Sequence, residues 1–349
     1  MIHARSFRPL TLTLLLAISV AGAAQAADVT LAATVQAALA SGADVRTAQA
    51  NFDKAAATQK AREGDPSALV TDLTSARQAT DLARVQLASA RIGTLQDAIG
   101  AYVTLLNAQQ TVDLQTLQVT YDTRNLQVAQ VKRAVNNATD LDVKNAQAAL
   151  SSSTQDLADA RAQVNLAASS LANLTGLSSS ARAATLPSVP ALKTSLQALT
   201  TGLDTRLPNV VSAAQAVALS QLKVKLSDND FTPARTLQDA RTALANDQRS
   251  LDNATRTARA TLQDAYQKAN TAVAQLQIAT TREANAKTSY TQGQTRLKSG
   301  LISNVEALKT QLDLKTAQVA RVKAQGSVLT ALAALSAASG TNVTGIGGV

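Results

Sequence analysis

Residues 87–176 of this chain align with residues 251–340 in a single register, displaced by 164 positions throughout. Leu87 meets Leu251, Tyr102 meets Tyr266, Gln147 meets Gln311, Leu150 meets Leu314 and Leu171 meets Leu335. Gly176 meets Gly340, and each follows a long helix-forming stretch, where glycine supplies the left-handed residue that ends a helix. Chance similarity between alanine-rich segments drifts in register, and this match does not. The chain is therefore two copies of one supersecondary unit.

Each copy has few interruptions. In the first, a helical segment is expected over 31–62, with a weak point at Ser41-Gly42, and Glu63 to Ser67 breaks it. A proline-free stretch with helical apolar spacing covers 68–135, Asn136 to Thr139 breaks it, and a third helix is expected over 140–174. The second copy breaks at Ser227 to Thr232, and Pro233 is expected at the first helical position. Its long helix is expected to reach Lys298 and its last helix Ser339. At ~1.5 Å per residue the long helices are about 100 Å and the flanking ones about 50 Å. Two half-length helices can thus stack end to end along one full-length partner. The fold class is all-α: long antiparallel coiled-coil hairpins in two tandem copies. The expected division is a signal peptide over 1–26, the first repeat over 27–177, the second over 178–340 and a flexible glycine-rich tail over 341–349.

Composition agrees with rods rather than a ball. Trp is absent, with 3 Phe and 4 Tyr in 349 residues, so burial must come from Ala and Leu stripes. Arg5 and Arg8, the apolar run from Leu10 to Ala24 and Ala24-Gln25-Ala26 form a secretory leader, and the mature chain is expected to begin near Ala27. The formal charge of +9 is spread among Asp and Glu along every helix, with no aromatic platform beside it, which argues against nucleic-acid binding. There is no Cys, and the single His, His3, lies in the leader. Most nucleophilic triads and transition-metal sites are thereby excluded; no catalytic residue, metal ligand or cofactor is expected.

The sharpest local chemistry lies at the turns after the two long helices. Gly300 suits the left-handed position, Ser303 an N-cap, and Glu306 the third residue of a capping box. Asn136, Thr139 and Asp142 repeat that order, since Asn also tolerates the left-handed conformation. Asp142 and Glu306 serve either as caps alone or as groups facing a lumen or partner.

These residues resemble the TolC-like outer-membrane efflux proteins. The resemblance rests on four stretches: Thr30-Leu31 to Ala48, Ala101-Tyr102-Val103-Thr104-Leu105-Leu106, Leu171 to Gly176, and Gly300-Leu301-Ile302-Ser303-Asn304-Val305-Glu306-Ala307-Leu308. It implies a homotrimer whose subunits each give two hairpins to a periplasmic α-helical tube. It also implies docking of an adaptor protein and an inner-membrane pump at tips formed by Asn136, Asn137, Thr139, Gly300, Leu301 and Ser303. Asp142 and Glu306 fall where the family narrows its pore, and Lys309 where it often carries a second carboxylate. Family members insert membrane β-strands between the first and second helix of each copy. Here those places hold only Glu63 to Ser67 and Ser227 to Thr232, too short for spanning strands of about 9–11 residues. The expected product is a barrel-less, exported, outer-membrane-associated conduit subunit, with a separate outer-membrane component as a further partner. The rival reading is a non-transporting spacer or scaffold of the envelope; a periplasmic adaptor is disfavoured, because no β-rich segment flanks the helices.

Overall fold

The computed structural model describes residues 28–187, 192 and 194–347; the expected leader lies outside them. The elements in order are β1 (Asp28–Val29), α1 (Leu31–Ser41), α2 (Ala43–Glu63), α3 (Val70–Ala134), α4 (Asp140–Thr175), β2 (Arg182–Ala183), α5 (Leu196–Thr200), α6 (Leu203–Arg206), α7 (Pro208–Ser227), α8 (Ala234–Lys298) and α9 (Asn304–Ser339). Helices α3 and α8 are each 65 residues and α4 and α9 each 36, and both pairs start 164 residues apart. The sequence repeat is thus a structural repeat with no insertion between its long helices.

The rods lie side by side in an open layer. Toward the tips, α4 packs on α3, α3 on α9 and α9 on α8. Toward the opposite end the order is α2, α3, α7, α8. Hence α8 forms one edge along its whole length, and α4 continued by α2 forms the other. The half-length helices meet where Ser41 Oγ donates to Thr175 O at 3.2 Å.

Burial concentrates in a belt at that junction. Leu31, Val35, Leu95, Ile99, Tyr102 and Leu329 form one cluster, and Leu199, Leu203, Leu262, Val328, Leu332 and Leu335 a second. Away from the belt the buried positions are mostly small, as with Ala76, Ala83, Ala160, Ala279 and Ala307, so the helices approach closely without large side chains. Helix α2 buries no residue at all.

Several expectations are corrected. The 31–62 segment divides at Gly42, whose ψ of 124° turns the chain while its N–H reaches Ala38 O at 2.7 Å. The flanking rod is therefore α2 alone, about 32 Å rather than about 50 Å, and α1 joins the belt. Pro233 is the cap residue of α8, with ψ 135°, not its first helical residue. Over 341–347 the tail lies against the core. Thr344 is buried, Ile346 packs on the first cluster, and Asn342 Nδ2 donates to Ile346 O at 2.8 Å. The two-residue strands β1 and β2, paired in parallel with Asp28 opposite Arg182, had no counterpart in the sequence reading.

Among the described residues no helix is long and apolar enough to cross a membrane, and these two strands are the only ones.

Candidate functional site

Two turns at one end of the rods carry all the candidate residues. At the first, Asn136 N–H donates to Arg133 O and Asn137 N–H to Lys132 O, at 3.0 and 2.7 Å. At the second, Gly300 N–H donates to Leu297 O and Leu301 N–H to Arg296 O, at 3.0 and 2.9 Å. Both are the 5→2 and 6→1 closure that satisfies the last carbonyls of a helix. It needs a left-handed residue, supplied by Asn136 at φ 56° and Gly300 at φ 68°.

Both following helices begin with the expected capping box. Asp142 N–H donates to Thr139 Oγ1 at 3.1 Å, and Thr139 N–H donates back to Asp142 Oδ2 at 2.7 Å. Glu306 N–H donates to Ser303 Oγ at 3.2 Å, and Ser303 N–H to Glu306 Oε2 at 2.7 Å. The hydrogen bond from the cap backbone holds each carboxyl below its ordinary value, with the cap hydroxyl adding to the effect. A lowered folded value means that each box contributes fully above the ordinary carboxylate range. That contribution is lost as pH falls through the lowered value. Asp142 and Glu306 are thus engaged as caps, and their carboxylates stay charged at neutral pH.

The tips differ in what braces them. Arg133 Nε pairs with Asp140 Oδ1 at 2.6 Å across the first, where the second has Leu297 and Asn304. Lys309 does not stand free: its ammonium pairs with Asp313 one turn on. Val131, Val135, Leu141 and Leu301 are exposed around the two turns. The register of α3 on α9 sets Asn304 level with the stretch between Arg124 and Val131, so the first tip projects beyond the second. A groove of about 800 Å³ lies in that step, walled by Val128 and Val131 on one side and Leu297, Val305 and Leu308 on the other.

The groove and the bonds that hold it were not read from sequence. Lys315 Nζ reaches Asp113 Oδ2 at 3.1 Å, and Arg321 pairs with Glu283, tying α9 to α3 and to α8. These partners lie up to 202 residues apart and leave no spacing signal.

The left-handed residue has a direct test. A Cβ at Gly300 would meet nothing within 4 Å, so a substitution acts through backbone strain alone. Gly300→Val is expected to destabilise the tip by about 1–2 kcal/mol. Gly300→Asn is expected to be nearly silent, because Asn136 already holds the equivalent place. Hydrogen exchange at residues 295–306 reads both, and equal protection in the two variants would refute the assignment.

Residues 178–341 match the sequence model of the outer membrane efflux protein family. No curated protein sequence matches the chain. Among solved structures, the Campylobacter jejuni CmeC outer membrane channel superposes with a TM-score of 0.64 at 14% identity, covering 89% of this chain and 85% of that one. The Vibrio cholerae outer membrane protein VceC gives 0.63 at 15%, covering 89% and 96%. A membrane protein from Pseudomonas aeruginosa gives 0.66 at 13%, covering 89% and 90%. At these identities the likeness is one of fold. The efflux-protein match covers the second repeat, and the fold likeness extends over both. An outer membrane efflux protein domain thus occupies the second half of a chain whose helical fold, over both repeats, is that of these solved outer membrane proteins.

Proposed function

We propose that this chain is exported and serves as a subunit of a homotrimeric periplasmic α-helical conduit for efflux or secretion across the outer membrane. The observation that carries the reading is the open layer of rods. A spacer that folds alone would close its helices into a bundle and bury both edges. Here α8 and the α4–α2 edge do not pack on each other. The edges are unlike, so copies join head to tail, and such contacts close into a ring when the rotation permits.

The edges also carry apolar side chains at matching height. Leu166 on α4 and Ile278 on α8 are both more than half exposed. The cluster of Leu105 with Ala167, Ala168 and Leu171, the approach of Val103 to Gly326 and the Glu283–Arg321 pair place them roughly level along the rods. Helix α2, with no buried residue, gains its missing cover from the neighbour's α8.

In this arrangement the tips around Asn136, Asn137, Thr139, Gly300, Leu301 and Ser303 face the adaptor and the inner-membrane pump. Asp142, Glu306 and the Lys309–Asp313 pair line the narrow entrance. The opposite end faces the outer membrane.

Negative-stain electron microscopy of the mature protein, purified without detergent, tests the reading. Hollow end-on rings beside long side views are expected. Leu166→Asp combined with Ile278→Asp should reduce them to single rods with unchanged helix content. Solitary rods from the unaltered protein would refute the conduit and favour the spacer.

A further inference from the structure

The end of the rods opposite the tips has its own chemistry. Loops 64–69 and 228–233 close it. Gln78 and Gln215 exchange side chain-to-backbone hydrogen bonds at 3.0 and 2.9 Å, which fixes the register of α3 against α7. Counting outward from that pair, the end of α7 stands roughly 6 Å beyond the start of α3. The 228–233 loop therefore lies beyond the start of α3 at this end.

Phe231 sits on that loop and is 98% exposed, one of 3 Phe in the sequence. It is held out, not left loose. Asn229 Nδ2 donates to Leu226 O at 2.8 Å, its Oδ1 accepts the Phe231 N–H at 3.0 Å, and Thr232 N–H donates to Asn229 O at 3.2 Å. In the first loop Asp65 Oδ1 accepts from the Ser67 N–H at 2.9 Å and from its hydroxyl at 2.7 Å. The turn then delivers Leu69 and Val70, 66% and 51% exposed, at the start of α3. Leu226 adds a fourth exposed apolar side chain at the end of α7.

We infer that this end is a lipid-contacting foot: Phe231, with Leu69, Val70 and Leu226 behind it, inserts into the headgroup and upper acyl region of a bilayer surface. Its orientation rests on the conduit reading given above. Area and shape select lipid over protein. Four partly exposed side chains offer on the order of 500 Å², below the ~800 Å² per partner of a stable protein interface. They sit in and beside two end loops rather than along one helix face. An interfacial bilayer accepts shallow insertion of single aromatic and aliphatic side chains beside polar neighbours. Lys223, Lys225 and Arg235 lie within two turns behind the loop, with stems long enough to keep their charges at the headgroups. Asp228, with Arg241 at 4.0 Å, and Asp230 nearly balance them, so the contact is apolar rather than electrostatic. In a ring each subunit contributes one foot, and weak single contacts add as avidity.

Flotation of the mature protein with lipid vesicles tests this. One set is zwitterionic phosphatidylcholine, and the other mixes phosphatidylethanolamine with phosphatidylglycerol. The protein should float with both and continue to do so in high salt. Phe231→Ser combined with Leu69→Ser should lower the bound fraction roughly 10-fold, with helix content unchanged. Leu301→Ser, which removes about as much exposed apolar surface at the tips as Leu69→Ser alone removes here, should leave flotation unaltered. Failure of the unaltered protein to float overturns the inference, as does flotation that needs anionic lipid and vanishes in salt. Rings in the microscope without flotation would leave the conduit standing and assign this end to a protein. Flotation without rings would keep the foot and remove the conduit.

Discussion

Replacing Tyr102 with alanine is expected to lower stability by about 3–5 kcal/mol. Tyr102 has no exposed surface and stands at the middle of α3, in the cluster that joins α1 and α9. Its hydroxyl shares one proton between Val29 O at 2.9 Å and Ala184 O at 2.8 Å. Those carbonyls flank the β1–β2 pairing, so one side chain clasps the start of the first repeat to the segment that leads into the second. Burial pushes the phenol up to about 12, and it remains a donor at neutral and moderately alkaline pH. Tyr102→Phe keeps the ring and removes the donor, leaving the Ala184 carbonyl short of its partner at a cost of about 1–3 kcal/mol. Tyr266, its repeat mate, is only partly buried against the second cluster, so Tyr266→Ala should cost less than Tyr102→Ala. Equilibrium urea unfolding followed by circular dichroism orders the four proteins. Equal losses at positions 102 and 266 would show that the clasp contributes nothing beyond ring packing.

The contrast between those two tyrosines marks what could be read from sequence. Helix lengths, both tip turns and both capping boxes follow from interactions that span three to five residues, and Thr139, Asp142, Ser303 and Glu306 carry them openly. The belt follows from contacts between residues 28–29, 102, 182–184 and 341–347, which no local pattern links. A glycine-rich tail reads as loose because its composition lacks helix and strand signals. What holds it is a run of hydrogen bonds through Asn342 and Thr344 to Ile346, whose side chain packs on the first cluster. The same limit applies to the site. The caps that shape each tip are local, whereas the groove between the tips depends on the stagger of α3 against α9. That stagger is set by Val103 against Gly326 and by Lys315 against Asp113, pairs that only the fold brings together.

Gly326→Leu is expected to separate the two repeats over the tip-proximal half of the rods and to cost about 3 kcal/mol or more. A helix-interior glycine sacrifices about 1 kcal/mol relative to alanine, so its presence in α9 calls for a compensating close approach. The structure shows one: a Cβ at Gly326 would lie 2.5 Å from Val103 Cγ1. Val103 is buried within the first cluster, and its β-branch leaves it little rotamer freedom in a helix. The clash cannot be relieved by swinging a flexible end aside. Gly293 offers the comparison. A Cβ there would meet Thr310 Oγ1 at 2.9 Å, but Thr310 is only partly buried at the α8–α9 crossing, within a single repeat. Its substitution should therefore cost less and leave the joint between repeats intact. The assignment to Val103 is checked by a double-mutant cycle with Gly326→Ala and Val103→Ala. Removing the valine branches vacates the space that the new methyl needs, and the pair should be less destabilised than the sum of its parts by at least about 1 kcal/mol. Additive losses would mean that α9 does not depend on this contact to approach α3. The register that staggers the tips, and the groove between them, would then need a different origin.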